Sequence, residues 1–144
     1  MKQRYSKWVR RYPNGTLGST TCVDTIIEDP KPLATYRVGE DTYPEHGYLM
    51  CWKGIRESNI ERSGIKQDVC LWEVEVDVAD VKVPTLAHPF YLRTGKITIE
   101  EFWKNPEAQG YGFTGQTPPA QTVFCTRVRL IKNLTEELET QHVL

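Results

Sequence analysis

No apolar run in the 144 residues approaches the roughly 18 to 20 needed for a membrane-spanning helix, so a helical membrane protein is excluded. The N-terminus lacks the apolar core of a secretory signal, and a cytoplasmic protein is expected. The four cysteines, Cys22, Cys51, Cys70 and Cys125, form no C-x-x-C pair, so neither zinc-ligand spacing nor a dithiol redox motif is present. No serine stands in a G-x-S-x-G elbow, and no carboxylate pair is placed to suggest a glycosidase. Histidine is scarce, with only His46, His88 and His142, and none lies in a metal-binding pattern. Repeats and low-complexity tracts are missing. The first twelve residues hold no acid at all.

What is present is the composition of a soluble globular chain, 39% hydrophobic and 26% charged, long enough to bury a core without disulfide or metal. The expectation is one domain over residues 1–144. Three of the cysteines sit inside apolar strand patterns and read as buried free thiols. The net charge of −1 conceals an asymmetry: five of the 18 Lys and Arg residues fall in the first twelve positions, leaving 13 against all 19 acids. Lys2, Arg4, Lys7, Arg10 and Arg11 interleave there with Tyr5, Trp8 and Tyr12. Such a mixture can track a phosphate backbone and stack bases. The structural reading of the same stretch is a strand, with Tyr5, Lys7, Val9 and Arg11 alternating with Ser6, Trp8, Arg10 and Tyr12. Pro13-Asn14-Gly15 then predicts a turn, and Thr16 to Ile27 the returning strand.

The clearest strand is Cys70 to Val78. Cys70, Trp72, Val74, Val76 and Val78 alternate with Leu71, Glu73, Glu75 and Asp77, which predicts one buried face and one wet face. Val123 to Ile131 is the second strong strand, with Phe124, Thr126, Val128 and Leu130 alternating with Cys125, Arg127 and Arg129. Paired antiparallel, the two would set Arg127 and Arg129 against Glu73, Glu75 and Asp77. His46 to Trp52 reads as a buried strand opened by a glycine, and Thr35 to Val38 as a short extended piece within a connecting segment, Glu28 to Glu45. Capping boxes at Ser58–Glu61 and Thr98–Glu101 predict two short helices, and Thr135 to Gln141 predicts a third. Phe90-Tyr91-Leu92 is a possible strand or apolar plug.

Between Glu107 and Gln121 the Gly- and Pro-rich composition predicts a long loop, a feature that is often functional. It contains Gly110-Tyr111-Gly112-Phe113-Thr114-Gly115, but this G-x-G-x-x-G follows a helix and runs into Pro118-Pro119. A dinucleotide site requires the reverse order, strand before and helix after. A partner-contacting loop carrying Tyr111 and Phe113 suits it better. The composite is an α+β fold, an antiparallel sheet of about five to seven strands with two or three short helices. Strands this short could also close into a small barrel.

His46-Gly47 at a strand mouth resembles the His-Gly pair that helps hold NAD in ADP-ribosyltransferases. That resemblance implies a small NAD-using transferase with His46, Tyr48 and Glu101 around one pocket, although Tyr48 stands where the family has threonine or serine. Tyr48 to Pro84, with a cysteine-bearing strand, a glycine, a short polar insert and a CLWEVEV strand ending at a proline turn, resembles small single-domain proteins of bacteriophages and bacterial mobile elements. This second resemblance implies an origin rather than an activity. The residues favour a non-enzymatic binding protein, such as a phage accessory or inhibitory protein, with no cofactor, no metal and no membrane partner. Its macromolecular partner, protein or nucleic acid, would meet Lys7, Trp8, Arg10, Arg11, Tyr12, Tyr111 and Phe113. The alternative is the NAD-using enzyme.

Overall fold

In the computed structural model the residues described are 2–20, 22–23, 31–32, 34–63, 68–81, 103–104 and 121–143. Strand β1 (Tyr5–Arg11) runs antiparallel to β8 (Val69–Val78), with Tyr5 opposite Val74, Lys7 opposite Trp72 and Val9 opposite Cys70. This register places the odd-numbered row of β1 on the apolar face of β8. Between them come β2 (Leu17–Ser19), β3 (Cys22–Val23), β4 (Lys31–Pro32), β5 (Thr35–Tyr36), β6 (Asp41–Thr42), β7 (Leu49–Lys53) and helix α1 (Glu57–Ser63). After β8 come β9 (Thr122–Asn133) and helix α2 (Leu134–Val143).

The sheet closes on itself. β8 pairs with β1 and β9, β9 pairs with β7, and β7 returns to β1 through Tyr5–Lys53 and Ser6–Trp52, a four-strand antiparallel barrel. Three short strands complete a seven-stranded sheet: β2 on the free side of β1, β5 on β2, and β6 on β9 beyond the end of β7. β3 and β4 form a separate two-stranded ribbon. The structure is thus mainly antiparallel sheet with two short helices among the described residues, and of the two sheet forms expected it takes the closed one.

β9 can serve both β8 and β7 because it bends. Between Asp77–Arg127 and Val78–Cys125 the register gains the extra residue Thr126, and between Glu73–Lys132 and Val74–Leu130 it gains Ile131. Each bulge kinks the strand and increases its twist. The first also breaks the alternation read from the sequence: Val128, Leu130 and Cys125 are fully buried in the core, while Phe124 faces outward.

The outer face of β8 is not uniformly wet, as its alternation had suggested. Its N-terminal half lies under the helices: Leu71 and Val69 are buried, and the Leu71 N–H donates to Thr135 Oγ1 at 2.9 Å. Glu75 and Asp77, further along, are exposed, and Val78 on the apolar row is 47% exposed where the barrel ends. The tight turn after β1 follows the sequence signal. Gly15 takes φ 85°, its N–H donates to Tyr12 O, and Tyr12 N–H donates to Thr16 O, a three-residue hairpin loop with glycine at the left-handed position. The returning strand is shorter than expected. Helix α1 begins at Glu57, so Ser58 sits inside the helix and does not cap it; Asn133 caps α2 by accepting from Glu136 N–H at 3.0 Å. The expected helix near Thr98 is described only at Trp103 and Lys104, both helical, and Phe90–Leu92 lies outside the described residues.

Gly47 has φ 61°, and a Cβ built there would fall inside the Trp103 indole. Gly54, at φ 86°, faces open space. Gly47→Ala should therefore cost about 2–4 kcal/mol, combining left-handed strain with overpacking, whereas Gly54→Ala should cost only about 1–2 kcal/mol. Urea unfolding midpoints of the two variants test this ordering.

Candidate partner-binding face

The even-numbered row of β1 points out of the barrel: Arg4, Ser6, Trp8 and Arg10. On β7 the same alternation sends Leu49 and Cys51 into the core and Met50 and Trp52 outward. Ser6 lies opposite Trp52, so Trp8 is its diagonal neighbour; the indole centroids are 6.5 Å apart with planes 22° from parallel. Trp8 is 40% and Met50 41% exposed, unusual for side chains of this size. Ser6, fully buried beneath them, donates to Gly54 O at 2.8 Å and ties the two strands together.

Past Met50 the outer side of the sheet is covered: Met50 pairs with Phe124 on β9, and Phe124 is 5% exposed. The Phe124 ring stacks on Tyr48 at 5.8 Å and meets Trp103 edge-on at 5.5 Å. At the other side Arg4 grips Glu73 with two hydrogen bonds of 2.8 and 2.9 Å, and Arg10 Nε lies 3.4 Å from Asp68. Lys2, Arg11 and Lys53 are exposed and have no carboxylate partner among the described residues.

The N-terminal residues singled out in the sequence do not all share this face. Lys7 turns inward with Val9. Its ammonium donates to Met50 O at the point where β7 diverges from β1, and it lies 5.7 Å from the Tyr36 ring centroid. The Tyr36 hydroxyl is buried without a hydrogen-bond partner among the described residues. Burial works against the Lys7 charge, but Tyr36 and Cys51 more than offset it and its pKa is raised. Burial likewise raises the Tyr36 phenol, despite the opposing effect of Lys7. Cys51 and Cys125 occupy the same interior face: their mutual hydrogen bond lowers the Cys51 pKa and, with burial, raises that of Cys125. Cys51 and Cys125 are buried free thiols and Cys70 is a half-buried one.

Tyr12 is 5% exposed and its hydroxyl donates to Ser19 O, so it is a core residue of the hairpin. Trp8 and Arg10 lie on the outer face, and Arg11 is exposed at the end of β1. Tyr111 and Phe113 lie outside the described residues, as does the whole loop Glu107 to Ala120. Of the residues in the transferase reading, His46 is half-buried in the bend before β7 and Tyr48 belongs to the aromatic cluster, while Glu101 lies outside the described residues. Sequence reasoning missed Trp52 and Met50. Their outward position was hidden because both rows of β7 are apolar.

On the opposite wall, β9 presents the charge pairing expected from the sequence, with a different allocation. Arg127 reaches Asp41 at 2.8 Å, Glu75 at 3.0 Å and Asp77 at 2.9 Å, and Arg129 reaches Asp41 at 2.8 Å, while Glu73 belongs to Arg4. Among the described residues no group of three or more His, Cys, Asp or Glu side chains is placed to hold a metal ion, and no helix is long and apolar enough to cross a membrane. The sequence matches no protein-family model, no curated protein and no solved structure.

Two outcomes are expected. Lys7→Ala should destabilise by about 1–3 kcal/mol, because it leaves Met50 O without its donor and opens the interior, whereas Lys53→Ala should stay within about 0.5 kcal/mol; chemical denaturation distinguishes them. The second concerns acid. Arginine hydrogen bonds hold Glu73, Asp41 and Asp77 below their ordinary values of 4.5, 3.8 and 3.8, so the folded state binds fewer protons than the unfolded one. Their contribution is complete above the unfolded values and is lost as pH falls through the lowered ones, so stability should decline below about pH 4.5. Arg127→Gln should flatten that decline, as read from urea midpoints across an acid series.

Proposed function

We propose that this chain is a non-enzymatic binding protein that engages a macromolecular partner through the outer face of β1 and β7. The observation that carries this reading is the near-parallel Trp8–Trp52 pair beside exposed Met50, on the outer sheet face next to the part of β8 that the helices cover. Tryptophan and methionine are enriched where proteins meet their partners. Barrel closure gives the reading its second support. β7 pairs with β1 and β9 along its two edges, and β1 pairs with β8 on one edge and with β2 and β7 on the other. A partner therefore meets side chains on a face, since these strands leave little unpaired backbone for strand addition. The resemblance to phage and mobile-element proteins fits an accessory or inhibitory role. A reducing, cytoplasmic setting suits the free thiols Cys51, Cys70 and Cys125.

A photo-crosslinking residue placed at Met50, with a matched control at Val38, which is 54% exposed on another part of the surface, tests the face in extracts of producing cells. Discrete adducts from position 50 that disappear with Trp8→Ala are expected. Equal yields at both positions, no adducts, or indifference to Trp8→Ala would overturn the reading.

A further inference from the structure

We propose that Cys51 and Cys125 form a two-thiolate site for a soft monovalent metal ion, copper(I), on the interior wall between β7 and β9. The site is separate from the outer face described above and stands or falls without it.

Strand register brings the two sulfurs together. Leu49 stands opposite Cys125 and Cys51 opposite Val123, so the cysteines are diagonal neighbours on the inward face of the β7–β9 pair. Both belong to the buried core, and their thiols are hydrogen-bonded to each other. Diagonal Cα atoms in an antiparallel pair lie roughly 7–8 Å apart, at or beyond the roughly 7 Å limit for a disulfide. The sulfurs are therefore close enough to share an ion, while the backbones stand too far apart to close a bridge without moving a strand.

Charge is the second argument. Lys7 turns its ammonium into the same interior, onto the carbonyl of Met50, the residue before Cys51. Among the described residues it has no carboxylate partner, and Cys51 and Cys125 are both close enough to act on its charge. Beside it the Tyr36 hydroxyl is also buried and unpartnered among the described residues. Buried charges are ordinarily paired or engaged with a metal centre. Each thiol gives up one proton to solvent when it becomes a ligand. Two thiolates and one monovalent ion then carry a single negative charge, which the ammonium cancels. A divalent ion would neutralise the thiolates by itself and leave Lys7 uncompensated.

The donor set selects the metal. Zinc takes at least three protein ligands, and no group of three or more His, Cys, Asp or Glu side chains is placed to hold an ion among the described residues. Thiolates favour soft ions, and copper(I) accepts two sulfurs in line with nothing else bound. Small rotations of the Cys51 and Cys125 side chains can admit it between them.

Anaerobic titration of the full-length protein with copper(I), in competition with a bicinchoninate chelator, tests the proposal. One ion should bind per chain, and copper X-ray absorption of the wild-type complex should show two sulfur neighbours. Cys51→Ala and Cys125→Ala should each abolish binding, whereas Cys70→Ala, on β8 opposite Val9, should leave it intact. Lys7→Met, which keeps both thiols, should weaken binding about 10- to 100-fold. Circular dichroism identifies any variant that fails to fold, and the wild-type spectrum decides without the variants. No binding against the chelator, or a copper environment other than two sulfurs, would overturn the assignment. So would binding that survives in a folded Cys51→Ala or Cys125→Ala chain, is lost in folded Cys70→Ala, or is indifferent to Lys7→Met.

Discussion

Everything in this structure depends on β9 being paired along both of its edges. One edge takes β8 for most of its length, and the other takes β7 and then β6, end to end. A straight strand cannot follow that path around so narrow a barrel. The extra residues Thr126 and Ile131 supply the bends, and the first of them also exchanges inside for outside. That exchange sends Phe124 out to Tyr48 and Trp103 while keeping Cys125, Val128 and Leu130 in the core. The outer aromatic surface on β7 and the interior packing are therefore two results of one irregularity.

The interior cation adds a second constraint on the same wall. A slip of one residue in β1 would exchange its two faces, moving Lys7 out and Trp8 in. The Lys7 ammonium on Met50 O favours one register, because only there does the amine find its acceptor in the gap where β7 leaves β1. Met50 is thus held by its backbone from inside while its side chain is displayed outside. The placement of the exposed surface follows from a polar contact in the core.

Legibility in the sequence tracked chemical contrast between alternate residues. β8 could be read because valine and tryptophan alternate with glutamate and aspartate, and its opposition to Arg127 and Arg129 followed from the same contrast. β1 could be read as two rows, and Lys7 shares its row with Val9, yet a lysine in the interior defies the usual preference of that side chain for water. In β7 the outward residues Met50 and Trp52 are as apolar as their inward neighbours Leu49 and Cys51, so they gave no sign of their direction. The bulges in β9 were hidden because an inserted residue carries no composition signal. β5 and β6, at two residues each, are shorter than any periodicity, and they owe their existence to neighbours already in place. Ser58 shows the opposite error: a capping box was present, but the helix starts at Glu57, two residues before a helix capped by Ser58 would.

The pairing of β1 with β8, and of β7 with β9, joins segments separated by about half of the chain, which has a consequence for how the protein is made. A ribosome releases β1 early, and its partners on β8 must then await β9 to close the barrel. At about 5–20 residues per second, synthesis from Arg11 to Asn133 takes roughly 6–25 s. Until β9 is made, the barrel stays open and the core residues of β7 and β8 that pack against β9 remain uncovered. A nascent chain of this kind is a natural client for holdase chaperones, and its folding is governed by slow, long-range contacts rather than by local hairpins.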